Sequence, residues 1–194
     1  MPGTIETDKT ALIGAASDGV RALLALRGQD VQSDGLRATP DRVVKAFLEM
    51  TAGYYQDPAE ILARRFVCES DSLILLRDIS FVSLCEHHLM PFSGVAHVGY
   101  IPSARSVVGL SKLARLVHCF AKRLQLQERL TAQIANALEL HLRPDGIGVV
   151  LQASHACMAC RGVGIANAAM ITSSLKGALR DEPEARAEFF ALIK

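Results

Sequence analysis

Apolar residues recur at helical spacing over the first quarter of the chain. Leu12, Ile13, Ala16, Val20, Leu23 and Leu24 fall on one stripe of a first helix, which Gly28 and then Ser33-Asp34-Gly35 end. Thr39-Pro40-Asp41 predicts a second helix start, with Thr at the N-cap, Pro at N1 and an acid in the first turn. That helix is expected to turn Val43, Val44, Phe47 and Leu48 inward and to set Arg42 and Lys45 one turn apart. After Pro58 comes a short helical piece around 61–65, and then the pattern changes. Residues 72–84, rich in Leu, Ile, Phe and Val, read as a strand with a break near Asp78. Residues 93–101 read as a second strand that Pro102 stops. Two amphipathic helices follow. The first starts near Ser111, with Leu113, Leu116, Val117 and Phe120 inward; the second starts near Gln127, with Leu130, Ile134, Ala137 and Leu138 inward. Strand-like runs at 147–153 and roughly 161–173 precede a last helix, capped by Asp181 and ending in Phe189, Phe190, Leu192 and Ile193.

The order α-α-β-β-α-α-β-β-α predicts an α+β domain: a four-stranded antiparallel sheet with two helices on one face, plus N-terminal helices. Such a sheet has exposed edges, which a homo-oligomer removes by continuing the sheet between subunits. The 194 residues fit one compact domain, and half of them are hydrophobic, which is ample for a core. No apolar run approaches the roughly 20 residues of a spanning helix, and the polar start of the chain lacks a signal-peptide core. A cytoplasmic protein with no membrane role is therefore expected. The net charge of +1, from 21 Lys and Arg against 20 Asp and Glu, argues against wholesale binding to nucleic acid. An anionic ligand must instead meet a local cluster of cations. Aromatics make up only 5% and Trp is absent, so a base-stacking surface is also poorly supported.

Five cysteines in a cytosolic chain point to metal ligation or buried free thiols rather than disulfides. Cys85-Glu86-His87-His88 has the spacing of a metal-ligand pair, and His155-Ala156-Cys157-Met158-Ala159-Cys160 comes about seventy residues later. Four ligands (Cys85, His88, Cys157, Cys160) would close a structural zinc site, whereas three (Cys85, His88, Cys157) would leave one position open for chemistry. His87 and His155 beside the ligands suit proton transfer, and the wide separation is unlike a small zinc module, so the open site is the better reading. Ser111 at a helix N-terminus, with Lys112 and Arg115 on the same first turns, has the parts of a phosphate site, though an ordinary capped cationic helix has them too. Glu128 beside Gln127 is either a first-turn acid facing the helix dipole or an acceptor for two adjacent N–H donors, as on guanine. Arg161 adds one more cation near the second tract, and Arg42 and Lys45 could equally form a solvated face. His97, His118 and His141 read as structural or solvated.

Taken together, Ser83-Leu-Cys-Glu-His-His-Leu-Met-Pro-Phe, Tyr100-Ile-Pro, Gly109-Leu-Ser-Lys-Leu-Ala-Arg, Gln127-Glu-Arg-Leu-Thr and His155-Ala-Cys-Met-Ala-Cys-Arg-Gly-Val resemble the GTP cyclohydrolase I family. The resemblance divides the chain into a variable helical segment, 1–35, and a catalytic domain, 36–194. It implies the tunnelling fold, a homodecameric ring with a β-barrel, and active sites at subunit interfaces. It implies zinc on Cys85, His88 and Cys157, leaving Cys160 outside. It implies hydrolysis of GTP to 7,8-dihydroneopterin triphosphate and formate, the first step towards tetrahydrofolate and other pterins. Glu128 is expected to hold the guanine, with Gln127 and Leu110 also in the substrate site. Ser111, Lys112, Arg115 and Arg161 would take the triphosphate, Arg42 and Lys45 would reach a neighbour's site, and His87 and His155 would move protons. Two departures stand out. Cys160 replaces a usually apolar residue, and 164–174 is less basic than in the family. The alternatives are a zinc-stabilised interaction or nucleic-acid module and another tunnelling-fold enzyme acting on pterins or deazapurines.

Overall fold

A computed structural model describes residues 8–69 and 71–194; the polar stretch 1–7, from which the absence of a signal-peptide core was expected, lies outside the described residues. The chain divides into two compact units, one ending at Met50 and the other spanning Thr51–Lys194. In the first, α1 (Lys9–Ala25) is capped by Asp8, whose side chain accepts from the Thr10 N–H at 2.9 Å. Its partner α2 (Thr39–Met50) buries Pro40 and Val44, and the buried Ser17 hydroxyl donates to Asp41 at 2.8 Å. The broad apolar stripes read from the sequence are not buried within this unit. Leu12, Leu23, Val43 and Leu48 stay exposed, because two helices meeting along one narrow seam leave most of each stripe uncovered. Thr39 does not act as a cap either; its hydroxyl turns back to the Gly35 carbonyl.

The second unit opens with a 3₁₀ turn (Ala52–Tyr55) and α3 (Pro58–Leu62), capped by Asp57. Then come β1 (Arg65–Val67), β2 (Ile74–Cys85), β3 (Pro91–Ile101), β4 (Ser106–Val108) and α4 (Leu110–Ala121). The chain continues through β5 (Leu124–Gln125), α5 (Gln127–His141), β6 (Gly146–His155), α6 (Ala156–Ala159), β7 (Met170–Gly177), α7 (Ala178–Asp181) and α8 (Pro183–Leu192). The sheet order is β5-β2-β3-β6-β7, with β2, β3, β6 and β7 antiparallel as expected. The two-residue β5 adds in parallel at Leu84 and Cys85, and β1 and β4 form a separate ribbon. The break expected near Asp78 is a bulge between Leu76 and Ile79, with Asp78 at φ 60° and its N–H donating to His97 Nδ1 at 3.2 Å.

On one face of the sheet, α4 and α5 bury Leu113, Leu116, Val117, Phe120, Leu130, Ile134 and Leu138 against Phe81, Phe92, Val98, Tyr100, Val149 and Leu151. A smaller cluster is built on Val150, Leu179 and Phe189. There a Cβ on Gly148 would sit 2.8 Å from the Phe189 ring, so glycine is what lets α8 lie so close. Two expectations at the C-terminal end change. The last strand starts at Met170 rather than near 161, because Gly162 and Gly164 take left-handed backbone at φ 64° and 66° and make the run a loop. Asp181 ends α7, and α8 starts after Glu182 instead. Among the described residues, no helix is long and apolar enough to cross a membrane.

Candidate metal centre and active site

The end of β2 and the tract after β6 meet because β3 pairs with both: Leu84 lies opposite Pro91, and Phe92 opposite His155. Between β2 and β3 the chain folds over one carbonyl. Cys85 O accepts from the His88 N–H at 3.3 Å and the Leu89 N–H at 2.8 Å, Leu89 takes φ 53°, and Cys85 N–H donates to Met90 O at 2.9 Å. This turn brings His88 Nδ1 to 3.7 Å from Cys85 Sγ. The loop is tied down at Glu86, whose N–H donates to Gln125 O at 3.1 Å and whose carboxylate pairs with the Arg129 guanidinium. That hydrogen bond holds the Glu86 carboxyl below the usual range. Arg129 also donates to Gln125 Oε1 at 3.1 Å and Leu124 O at 2.8 Å.

Cys157 lies on the single turn α6, and the donor atoms of Cys85, His88 and Cys157 all fall within 4.8 Å of one another. Ligands of a tetrahedral zinc stand about 3.5–3.8 Å apart, given bonds of about 2.3 Å to sulfur and about 2.0 Å to nitrogen. The Cys85–His88 separation already has that value. The chemistry of the donors fits a cation too: burial pushes the Cys157 thiol up and the adjacent Cys85 adds to it, a repulsion that a divalent ion relieves. Cys160 stands apart, its thiol directed at Ala156 O at 2.8 Å.

The His155 ring stacks on Phe92 with 4.6 Å between centroids and 3° between planes, and its Nε2 is 2.8 Å from Gln127 Oε1. Burial lowers its pKa, opposed by the nearby Glu128 carboxylate, so the neutral imidazole is favoured. Gln127 and Glu128 open α5 but face differently. Glu128 is exposed, whereas Gln127 is buried with its amide nitrogen on Leu151 O, Met170 O and Thr172 Oγ1. The side chain of Gln127, expected in the substrate site, is hydrogen-bonded within its own chain. His87 is exposed on the ligand turn, at 6.1 Å ring to ring from His88.

Of the expected anion-binding residues, Arg161 lies near enough to the donor tract for its charge to act on the Cys157 thiol, whereas the others belong to α4 and, in the first unit, to α2. Gly109 begins α4 with no side chain capping it, and Leu110 and Ser111 are exposed on the first turn. Lys112 and Arg115 line an open hollow of about 540 Å³ together with Asp57, Glu60, His118 and Lys122. A smaller hollow of about 220 Å³ lies against His155, Met158 and Met170. Arg161 is exposed after α6, and Arg42 and Lys45 are exposed on α2 of the first unit. Glu86, Phe92, Arg129, Thr131 and Thr172 support the centre, although sequence reasoning singled out none of them for a role there. Glu86, Phe92, Arg129 and Thr131 had a signal, each standing inside one of the quoted motifs, and Thr172 had none.

A family model described as GTP cyclohydrolase I matches residues 16–194. GTP cyclohydrolase 1 of a Synechococcus strain is 48% identical over 193 residues, which is 99% of this chain and 82% of that protein. The protein of the same name from Streptomyces griseus is 47% identical, covering 100% of this chain and 98% of its own length. That from Dehalococcoides mccartyi is 45% identical, covering 93% and 96%. With a family match across most of the chain and relatives this similar over most of their lengths, the chain belongs to the GTP cyclohydrolase I family.

Proposed function

We propose that the protein hydrolyses GTP to 7,8-dihydroneopterin triphosphate and formate, at the entry to tetrahydrofolate and related pterins. The family match over residues 16–194 carries this reading, and the convergence of Cys85, His88 and Cys157 is the site that such a reaction needs. Those three residues would hold zinc, which supplies Lewis acidity at the guanine imidazole ring. Around it, the Glu128 carboxylate accepts from the guanine N1 and N2 hydrogens. Ser111, Lys112, Arg115 and Arg161 bind the triphosphate, helped by the free N–H groups at the start of α4. His155 and His87 carry protons to and from the ring nitrogens and through the later ribose rearrangement.

In the same reading 36–194 is the catalytic domain, with a tunnelling fold whose open sheet edges join those of neighbours in a cytoplasmic homodecameric ring. Arg42 and Lys45 then serve a neighbouring subunit's triphosphate. Lys112 and Arg115 line one hollow of the chain and His155 another, which favours sites completed between subunits. The deciding experiment incubates zinc-loaded protein with GTP and follows formate together with a new pterin chromophore. Both are expected at one per GTP; zinc binding without formate overturns the reading.

A further inference from the structure

The buried amide of Gln127 faces two backbone carbonyls, Leu151 O at 3.2 Å and Met170 O at 3.0 Å. Carbonyls only accept, so the atom pointing at them is the NH₂, and Oε1 is the atom that meets His155. Oε1 only accepts as well. The hydrogen on the 2.8 Å contact therefore belongs to His155 Nε2, and a neutral His155 keeps Nδ1 as its acceptor. Two hydroxyls lock the arrangement. Thr131 donates to Gln127 O at 2.8 Å, so the hydrogen between Thr131 and Thr172 comes from Thr172. Thr172 Oγ1 is then left to accept from Gln127 Nε2 at 3.1 Å. Stacking on Phe92 sets the plane of the imidazole, and this hydrogen bond sets its rotation within that plane. Reversing the amide would put an oxygen against two oxygens in a buried site, which is costly.

We infer that Gln127, held by Thr172 and Thr131, is a positioning residue that fixes His155 as its Nε2–H tautomer and so makes Nδ1 the atom that exchanges protons with the substrate. The inference deepens the proposed reaction and rests on His155 acting there. Its test uses zinc-loaded protein labelled with ¹⁵N at histidine, in which long-range proton–nitrogen correlation spectra read the tautomer and His155→Gln identifies the signal. The parent protein is expected to show Nε2–H. Gln127→Met is expected to mix the tautomers and to lower kcat for formate release by about tenfold or more, with KM for GTP within about twofold. If Gln127→Met fails to fold, Thr172→Val carries the test with a smaller loss in the same direction, restored by Thr172→Ser. An Nδ1–H form in the parent overturns the inference, as does a variant whose KM rises while its tautomer stays put. A parent protein that makes no formate yet shows Nε2–H would sink the reaction and leave the positioning intact.

Discussion

At the scale of single residues, three side chains and one bystander separate the two metal readings open in the sequence. Cys157 has Cys85 and His88 for company, whereas the Cys160 thiol is directed at the Ala156 carbonyl. Cys157→Ser is therefore expected to lose both stoichiometric zinc and formate release. Cys160→Ser is expected to keep its zinc, as read by metal analysis after gel filtration; loss of the ion there would restore the four-ligand site. The convergence of Cys85, His88 and Cys157 was legible because Cys and His at metal spacing are rare and chemically explicit. The role of Gln127 was not legible. A polar residue in a first helical turn reads as exposed, and its decisive partners are the carbonyls of Leu151 and Met170, which no side-chain letter announces.

At the scale of elements, the ligand turn is only as precise as its anchor. Cys85 ends a strand, His88 hangs three residues beyond it, and the Glu86–Arg129 pair ties the turn between them to α5. Arg129→Met keeps the aliphatic stem and removes the anchor. By analogy with groups that orient ligands from outside the coordination shell, it should weaken zinc by about 10–100-fold in a competitive chelator titration, with far-UV circular dichroism unchanged. The helices that bear on this region were legible nearly to the residue, since α4 and α5 bury the apolar sets their spacing demands. The sequence was less informative where one or two residues decide. Strands as short as β1, β4 and β5 exist by pairing rather than pattern, and left-handed glycines divide the run before β7. The inward set expected on α2 misled for another reason, since Val43 and Leu48 are exposed: amphipathic spacing reports that a face is apolar, not what covers it.

At the scale of the whole molecule, stability should depend on acid through His97. Its ring is buried on β3 and accepts from the Asp78 N–H at the bulge. Burial pushes its pKa below the ordinary 6.5, with Asp78 opposing and Arg77 assisting. The unfolded chain therefore takes up this proton first as pH drops. The contribution is fully present above pH 6.5 and is lost as pH falls from there through the folded value. Urea midpoints measured from pH 7.5 down to 5 should fall in the parent and fall less in His97→Gln; equal slopes would remove His97 from the account. The near-neutral charge takes on a local meaning at this scale as well: Lys112 and Arg115 stand in the first turns of α4 and Arg161 follows α6, although the net charge is only +1.

The register that sets Phe92 beside His155, with β3 between the two donor segments, also dictates the order of events when the protein matures. Donors about seventy residues apart are neighbours only once three strands have paired, so the ion cannot nucleate folding as it does in a small zinc finger. A zinc bound there would arrive last, at a finished seat. Zinc held there would then be a passenger, expected to be withdrawn by a chelator and returned without dismantling its carrier.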